Sequence, residues 1–92
     1  MANVQITYGQ VVTRDVFALG SCRSEVIVSS GTTAASALTV NLQDRVQIFC
    51  ATAILVSEKT PVVAATSLYV EPGVVNWFAA RENATIYVID AP

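Results

Sequence analysis

The sequence predicts an all-β fold, namely a single-domain antiparallel β-sandwich over residues 1–92, jelly-roll-like, with about eight or nine short strands. Two observations predict it. Short apolar runs alternate with turn residues at fairly regular spacing. No window shows the 3.6-residue period of an amphipathic helix, so we expect less than about a tenth of the residues to be helical.

The second half of the chain supplies five of the predicted strands. They cover residues 46–50, 53–57, 66–70, 74–78 and 84–89. Because Ala51-Thr52 leaves room only for a hairpin connection or a bulge, strand 53–57 is expected to pair back on strand 46–50 and to open an antiparallel meander. Glu71-Pro72-Gly73 predicts a turn, since proline presets φ and glycine accepts a positive φ.

The first half of the chain also consists of short apolar segments that predict strands. Residues 3–8 place Val4, Ile6 and Tyr8 on one face of a strand with strict period-two alternation. Gly9-Gln10 permits a turn, after which an apolar segment over 11–19 is interrupted by Arg14-Asp15 and ended by Gly20-Ser21.

Two further strands are predicted before residue 44. One covers 25–29, where three β-branched residues in a row suit a pleated surface, and the other covers 38–42. The small-residue run 29–36 between them is either a surface connection or a flat strip that another backbone approaches.

The composition points to a partner. Of the 92 residues, 53% are hydrophobic and only 13% are charged, against roughly 25% charged in an ordinary soluble domain. A domain of this size has a thin core that hides limited apolar surface. We therefore expect part of the apolar surface to face another chain, although alanine and valine scattered over the surface would give the same count.

The charges argue against several partners. The net charge is −2 and the five basic residues stand singly, so nucleic-acid binding is not expected. There is no apolar run of eighteen residues, which argues against a membrane partner, and no signal-peptide pattern, so we expect synthesis in the cytoplasm.

The two cysteines, Cys22 and Cys50, lack metal-ligand spacing. They are expected to be reduced, with a bridge between them as the alternative.

The residues for catalysis are missing. Without histidine the chain lacks the commonest general base and the partner of a serine or cysteine nucleophile. Most of its seven acidic residues adjoin turn signals, where carboxylates are usually solvated, and Lys59 is the only lysine. Phosphate-binding glycine loops and metal-ligand clusters are also absent from the sequence. We therefore expect no enzyme activity, no cofactor and no metal.

Trp77-Phe78 is the one aromatic pair that stands out. Neighbours on a strand point to opposite faces, so one ring is expected in the core and the other outside, unless a second layer covers both. An outward aromatic ring anchors a protein interface or stacks on a sugar.

Residues 66–90, T-S-L-Y-V-E-P-G-V-V-N-W-F-A-A-R-E-N-A-T-I-Y-V-I-D, resemble the end of small β-proteins of tailed bacteriophages. There a short strand leads through a Pro-Gly type turn to an apolar-aromatic strand, a polar turn and a final strand. The small-residue run 32–36 and the segment V-Q-I-F-C-A-T-A-I-L-V are similar too, whereas 81–83 and 57–59 depart from the glycine-containing turns of that group.

The resemblance implies a virion structural protein, either a capsid decoration or cement protein or a small tail or fibre component. Its partners would be the major capsid protein or other virion proteins and further copies of itself, with a trimer favoured by analogy with capsid three-fold positions. The expected interface residues are Trp77, Phe78, Tyr69, Val4 and Ile6. Two alternatives remain: a carbohydrate-binding module that uses Trp77 or Tyr69, and an interaction domain unrelated to phages.

Overall fold

A computed structural model describes residues 3–13, 16–17 and 19–92. The strands in this part of the chain are β1 (Asn3–Thr13), β2 (Val16–Phe17), β3 (Arg23–Val28), β4 (Ala34–Thr39), β5 (Asp44–Cys50), β6 (Ile54–Ser57), β7 (Leu68–Val70), β8 (Asn76–Ala79) and β9 (Thr85–Asp90). Helical structure in these ranges is limited to two 3₁₀ turns, Leu19–Ser21 and Ala64–Thr66. The predicted all-β fold is confirmed. In the described ranges no helix has the length and apolarity needed to cross a membrane.

The strands form two antiparallel sheets. Sheet I has the order β3-β1-β5-β8, with β2 pairing with the far end of β1, and sheet II has the order β4-β9-β6-β7. From β3 to β6 each successive strand lies in the other sheet. This alternation makes the sandwich jelly-roll-like.

The core lies between the sheets and follows from strand alternation. In sheet I, β1 and β5 pair so that Ile6 lies opposite Ile48 and Tyr8 opposite Val46, all four fully buried. Sheet II contributes the inward residues of β6, β7 and β9. The buried core residues are Val4, Ile6, Tyr8, Val40, Val46, Ile48, Cys50, Ile54, Val56, Val70, Ile86 and Val88. Burying a side chain of this kind contributes roughly 1.5–3 kcal/mol.

Of the neighbouring strands in the predicted meander, only 53–57 and 66–70 pair with each other, as β6 and β7, and the other neighbour pairings are wrong. Strand β6 does not pair with β5; residues 51–53 carry the chain across the core, and β6 pairs with β7 and β9 in sheet II. Both edges of β5 are already occupied, by seven residues of β1 and four of β8. Crossing therefore lets the apolar faces of β5 and β6 bury one another across the core.

The turn predicted at Gly9-Gln10 is also wrong. Strand β1 runs through both residues, which pair with Arg45 and Asp44 of β5, because a long partner strand outweighs the conformational freedom of one glycine. The predicted interruption at Arg14-Asp15 lies outside the described residues.

The remaining boundaries shift by a few residues. The small-residue run divides: 29–33 is a connection, whereas Ala34 to Ser36 open β4 and pair in part with β9. Strand β4 accordingly ends at Thr39, before the end of the predicted strand 38–42. The turn predicted at Glu71-Pro72-Gly73 is confirmed, with Gly73 at φ +75° and its N–H donating to Cys50 O at 2.8 Å.

Candidate functional site: the outer face of sheet I and the open side of the sandwich

A polar network closes one side of the sandwich, where the edge strands β3 and β4 meet. The Tyr8 hydroxyl donates to Glu25 Oε2 at 2.8 Å. The same carboxylate accepts the backbone N–H of Ala37 at 2.9 Å and that of Leu38 at 3.1 Å, so a residue of sheet I binds the backbone of sheet II. Burial, with a smaller contribution from Glu25, raises the pKa of Tyr8 well above its usual value, and the phenol stays a neutral donor.

Arg23 belongs to the same polar network on the closed side of the sandwich. Its Nη2 lies 2.5 Å from Asp44 Oδ2, its Nη1 donates to Thr39 O at 3.1 Å, and its guanidinium lies 5.2 Å from the centre of the Tyr8 ring. Asp44 is buried and also accepts the Asn41 N–H at 3.0 Å. The charged groups here bind groups of the same chain, so the network serves the fold.

The opposite side of the sandwich is open. A cleft of about 420 Å³ lies between β7 and β8, the edge strands of the two sheets. Its floor is apolar and includes Val56, Phe78 and Ile86, and its rim carries Glu58, Lys59 and Arg81. Leu68 stands at this opening with 58% of its surface exposed.

The outer face of sheet I, the face away from the core, carries apolar residues that remain exposed in the described part of the chain. The register places Gln5 between Val26 and Phe49, and it places Trp77 beside Gln47. Continued by one residue, the β5–β8 register sets Val75 opposite Phe49. The exposed fractions are 60% for Val26, 41% for Phe49 and 47% for Val75.

We call this surface the outer patch and define it by Val26, Val28, Phe49, Val75 and Trp77. Val28 is also exposed, and Trp77 is half-buried. The polar residues between these side chains on the same face are uncharged: Asn3, Gln5, Thr7, Ser24 and Gln47. Arg45 is the charged residue on the described part of this face, and it lies at the end of the sheet, opposite Gly9 and Ala79.

The five residues expected at an interface lie in three different places. Trp77 faces outward and belongs to the outer patch, whereas Phe78 pairs with the buried Val46, packs against the core and lines the cleft. Tyr69 is exposed on the outer face of sheet II. Val4 and Ile6 are fully buried. Their expected role at an interface is therefore corrected, because side chains enclosed by both sheets offer no surface to a partner in this fold.

Most residues of the outer patch were not predicted from the sequence to lie at an interface. Val26 and Val28 belong to a run of three β-branched residues, and only the pairing of β3 with β1 shows that Ile27 turns inward while its neighbours turn outward. The outward direction of Phe49 could be predicted from the sequence, because this residue lies between the inward positions Ile48 and Cys50.

The described residues contain no group of histidine, cysteine and carboxylate side chains able to hold a metal ion. Neither Cys22 nor Cys50 takes part in a disulfide, and burial raises the pKa of the Cys50 thiol.

Comparison of the chain with protein-family models, with curated proteins and with solved structures gives no match.

Proposed function

We propose that this protein is a non-enzymatic virion structural protein, a capsid decoration or cement protein that stabilises a phage head through repeated subunit contacts. The observation that carries the proposal is the outer patch, an uncharged apolar sheet face whose residues are exposed or half-buried in the described structure. The assignment to a virion is supported by the resemblance of residues 66–90 to small phage β-proteins.

The patch has the composition of an interface centre. The centres of protein interfaces are apolar, depleted in charge and enriched in aromatic residues, and contiguous apolar patches on a soluble protein mark interaction sites. Phe49, Val75 and Trp77 supply two aromatic rings and a β-branched side chain close together on one face. The rigid sheet beneath them sets their spacing, so little side-chain freedom is lost on binding.

A capsid lattice makes such a patch effective. Burying apolar surface contributes about 25 cal/mol per Å², so one patch gives a modest contact. When several copies engage a repeating lattice together, avidity raises the overall affinity by about 10² to 10⁴ without any new contact. The proposed protein is accordingly a homo-oligomer on the outside of the head, bound to the major capsid protein.

The test is co-sedimentation of the purified chain with empty phage heads, with Val26→Lys compared with Ala35→Lys. Both substitutions place a lysine at an exposed position on an outer sheet face, but Ala35 belongs to sheet II. We expect saturable binding by the wild-type chain and by Ala35→Lys, and a loss of about tenfold or more in affinity for Val26→Lys. If the wild-type chain does not bind the heads, or if both variants bind equally well, the proposal is wrong.

Tyr69 favours a second candidate, a tail component or binding module that recognises carbohydrate. Tyr69 is 57% exposed on the outer face of sheet II, beside Leu55, and an exposed aromatic face stacks on sugar rings. Glycan-array binding that Tyr69→Ala abolishes and Trp77→Ala leaves intact would support this function in place of capsid decoration.

A further inference from the structure

Three of the edge strands carry features that prevent pairing with another chain. Along β3, Arg23 and Glu25 point inward, and inward charges are a common way to protect a sheet edge. Along β4, Glu25 already binds the N–H groups of Ala37 and Leu38. Strand β7 has only three residues and is followed directly by Glu71-Pro72.

The edge of β8 has no such protection. Residues 74–80, V-V-N-W-F-A-A, contain neither a charge nor a proline, and the β5–β8 register runs without a bulge. Val74 and Val75 are 46% and 47% exposed. Uncharged segments of six or seven residues with high β-propensity and no proline pair readily with identical segments.

We propose that β8 pairs antiparallel with β8 of a second copy of this chain, across a two-fold axis. The two copies of sheet I then form one continuous sheet with the order β3-β1-β5-β8-β8-β5-β1-β3. This pairing specifies how copies of the protein contact one another in the structural role proposed above, and its purpose in the virion rests on that proposed function. The self-association itself can be measured with no capsid present.

The second copy fits this edge on grounds of charge. Each chain carries a net charge of −2, so a contact between two copies is favoured where it brings no like charges directly together. The seven residues 74–80 carry no charge, whereas the edge of β3 carries Arg23 and Glu25.

The pairing also covers surface that is now exposed. A two-fold axis perpendicular to the sheet keeps outer faces on the same side, so the outer patches of the two copies become contiguous, with the two Trp77 side chains near the axis. The openings of the two clefts then face each other, and Leu68 of each copy is shielded.

The contact must reach beyond the strand. A stable interface buries roughly 800 Å² on each partner, about 15% of the 5348 Å² that this chain exposes. Four residues of β8 span only about 13 Å. Val74, Val75 and Leu68, next to the strand, supply further apolar area.

The experiment measures mass in solution by sedimentation equilibrium up to about 100 µM, with Ala79→Glu compared with Ala35→Glu. Both alanines are exposed residues of edge strands, one in β8 and one in β4. Ala79 lies opposite Arg45, so a glutamate there gains an ion-pair partner within the monomer, and the fold is retained. In the pair it adds one carboxylate from each copy to a contact that residues 74–80 otherwise keep uncharged.

We expect the wild-type chain and Ala35→Glu to be dimers, and Ala79→Glu to dissociate at least tenfold more readily while keeping the wild-type circular dichroism spectrum. A wild-type monomer at the highest concentration, a trimer, or a dimer that Ala79→Glu leaves unchanged would each overturn the pairing. Val26→Lys, far from β8, should remain dimeric. A dimer that fails to bind empty heads thus refutes capsid decoration alone, and a monomer that binds them refutes the pairing alone.

Discussion

The phenol of Tyr8 and the carboxylate of Glu25 are joined by a hydrogen bond of 2.8 Å at the edge of sheet I. Glu25 also accepts two backbone N–H groups of β4, so one side chain fixes the distance between the two sheets on the closed side of the sandwich. Hydrogen bonds to an ionised acceptor are about twice as strong as neutral ones.

Replacing Glu25 by alanine should lower the free energy of unfolding by about 2–4 kcal/mol, because the Tyr8 hydroxyl and the two amides of β4 lose their acceptor. Urea denaturation measures the change. Glu82→Ala, at an exposed turn position, is the control and should change it by less than about 0.5 kcal/mol. Equal effects of the two substitutions would show that the network does not stabilise the fold.

Asp44→Ala should lower the free energy of unfolding by about 2–4 kcal/mol, since the largely enclosed guanidinium of Arg23 would lose its charged partner. The matched control is Glu58→Ala, which breaks the ion pair with Arg81, whose side chain is 82% exposed. That change should cost about 0–1 kcal/mol. Chemical denaturation of both variants in the same buffer gives the comparison, and a larger loss for Glu58→Ala would contradict it.

The stability of the protein should fall at alkaline pH through Tyr8. Burial raises the pKa of Tyr8 above its unfolded value near 10, so above that pH the unfolded state releases a proton that the folded state keeps. The contribution of Tyr8 is therefore complete below about pH 10 and is lost progressively as the pH rises further. Denaturation measured at several pH values should show a shallower decline for Tyr8→Phe than for Tyr69→Phe, which removes an exposed hydroxyl. Identical declines in the two variants would exclude Tyr8 as the cause.

Gly73→Ala should destabilise the protein by about 1–2 kcal/mol. Gly73 has φ +75°, where an L-residue is strained, and a Cβ there meets no atom within 4 Å, so the cost comes from the backbone alone. Gly31→Ala is the matched control: its Cβ also meets nothing within 4 Å, and its φ lies outside the left-handed region. Thermal denaturation should show it unchanged or slightly stabilised. Similar losses at both glycines would contradict the explanation.

Period-two alternation was enough to predict the faces of β1 and β5, because every second residue is apolar and one face of each strand is buried. Alternation carries no information on which strand lies next to which. That is why the crossing from β5 to β6 was missed: the same residues would serve a hairpin equally well.

The aromatic pair illustrates the same limit. The sequence places Trp77 and Phe78 on opposite faces, but only the pairing of Phe78 with the buried Val46 decides which ring turns inward. The outer patch depends on such pairings at three strands together. It therefore could not be assembled from local patterns, although Phe49 and Val26 were each visible as apolar residues.

The position of β9 has a consequence for how the chain folds. This strand, Thr85–Asp90, lies in the middle of sheet II, with β4 on one side and β6 on the other. Sheet II thus has no stable precursor until residue 90 has been synthesised, and strands about fifty residues apart must then find each other. Such non-local pairing gives folding times of milliseconds to seconds and places folding after translation of this segment. Until β9 has been synthesised, the apolar faces of β4, β6 and sheet I stay exposed on the nascent chain. We expect chaperones to bind these exposed faces.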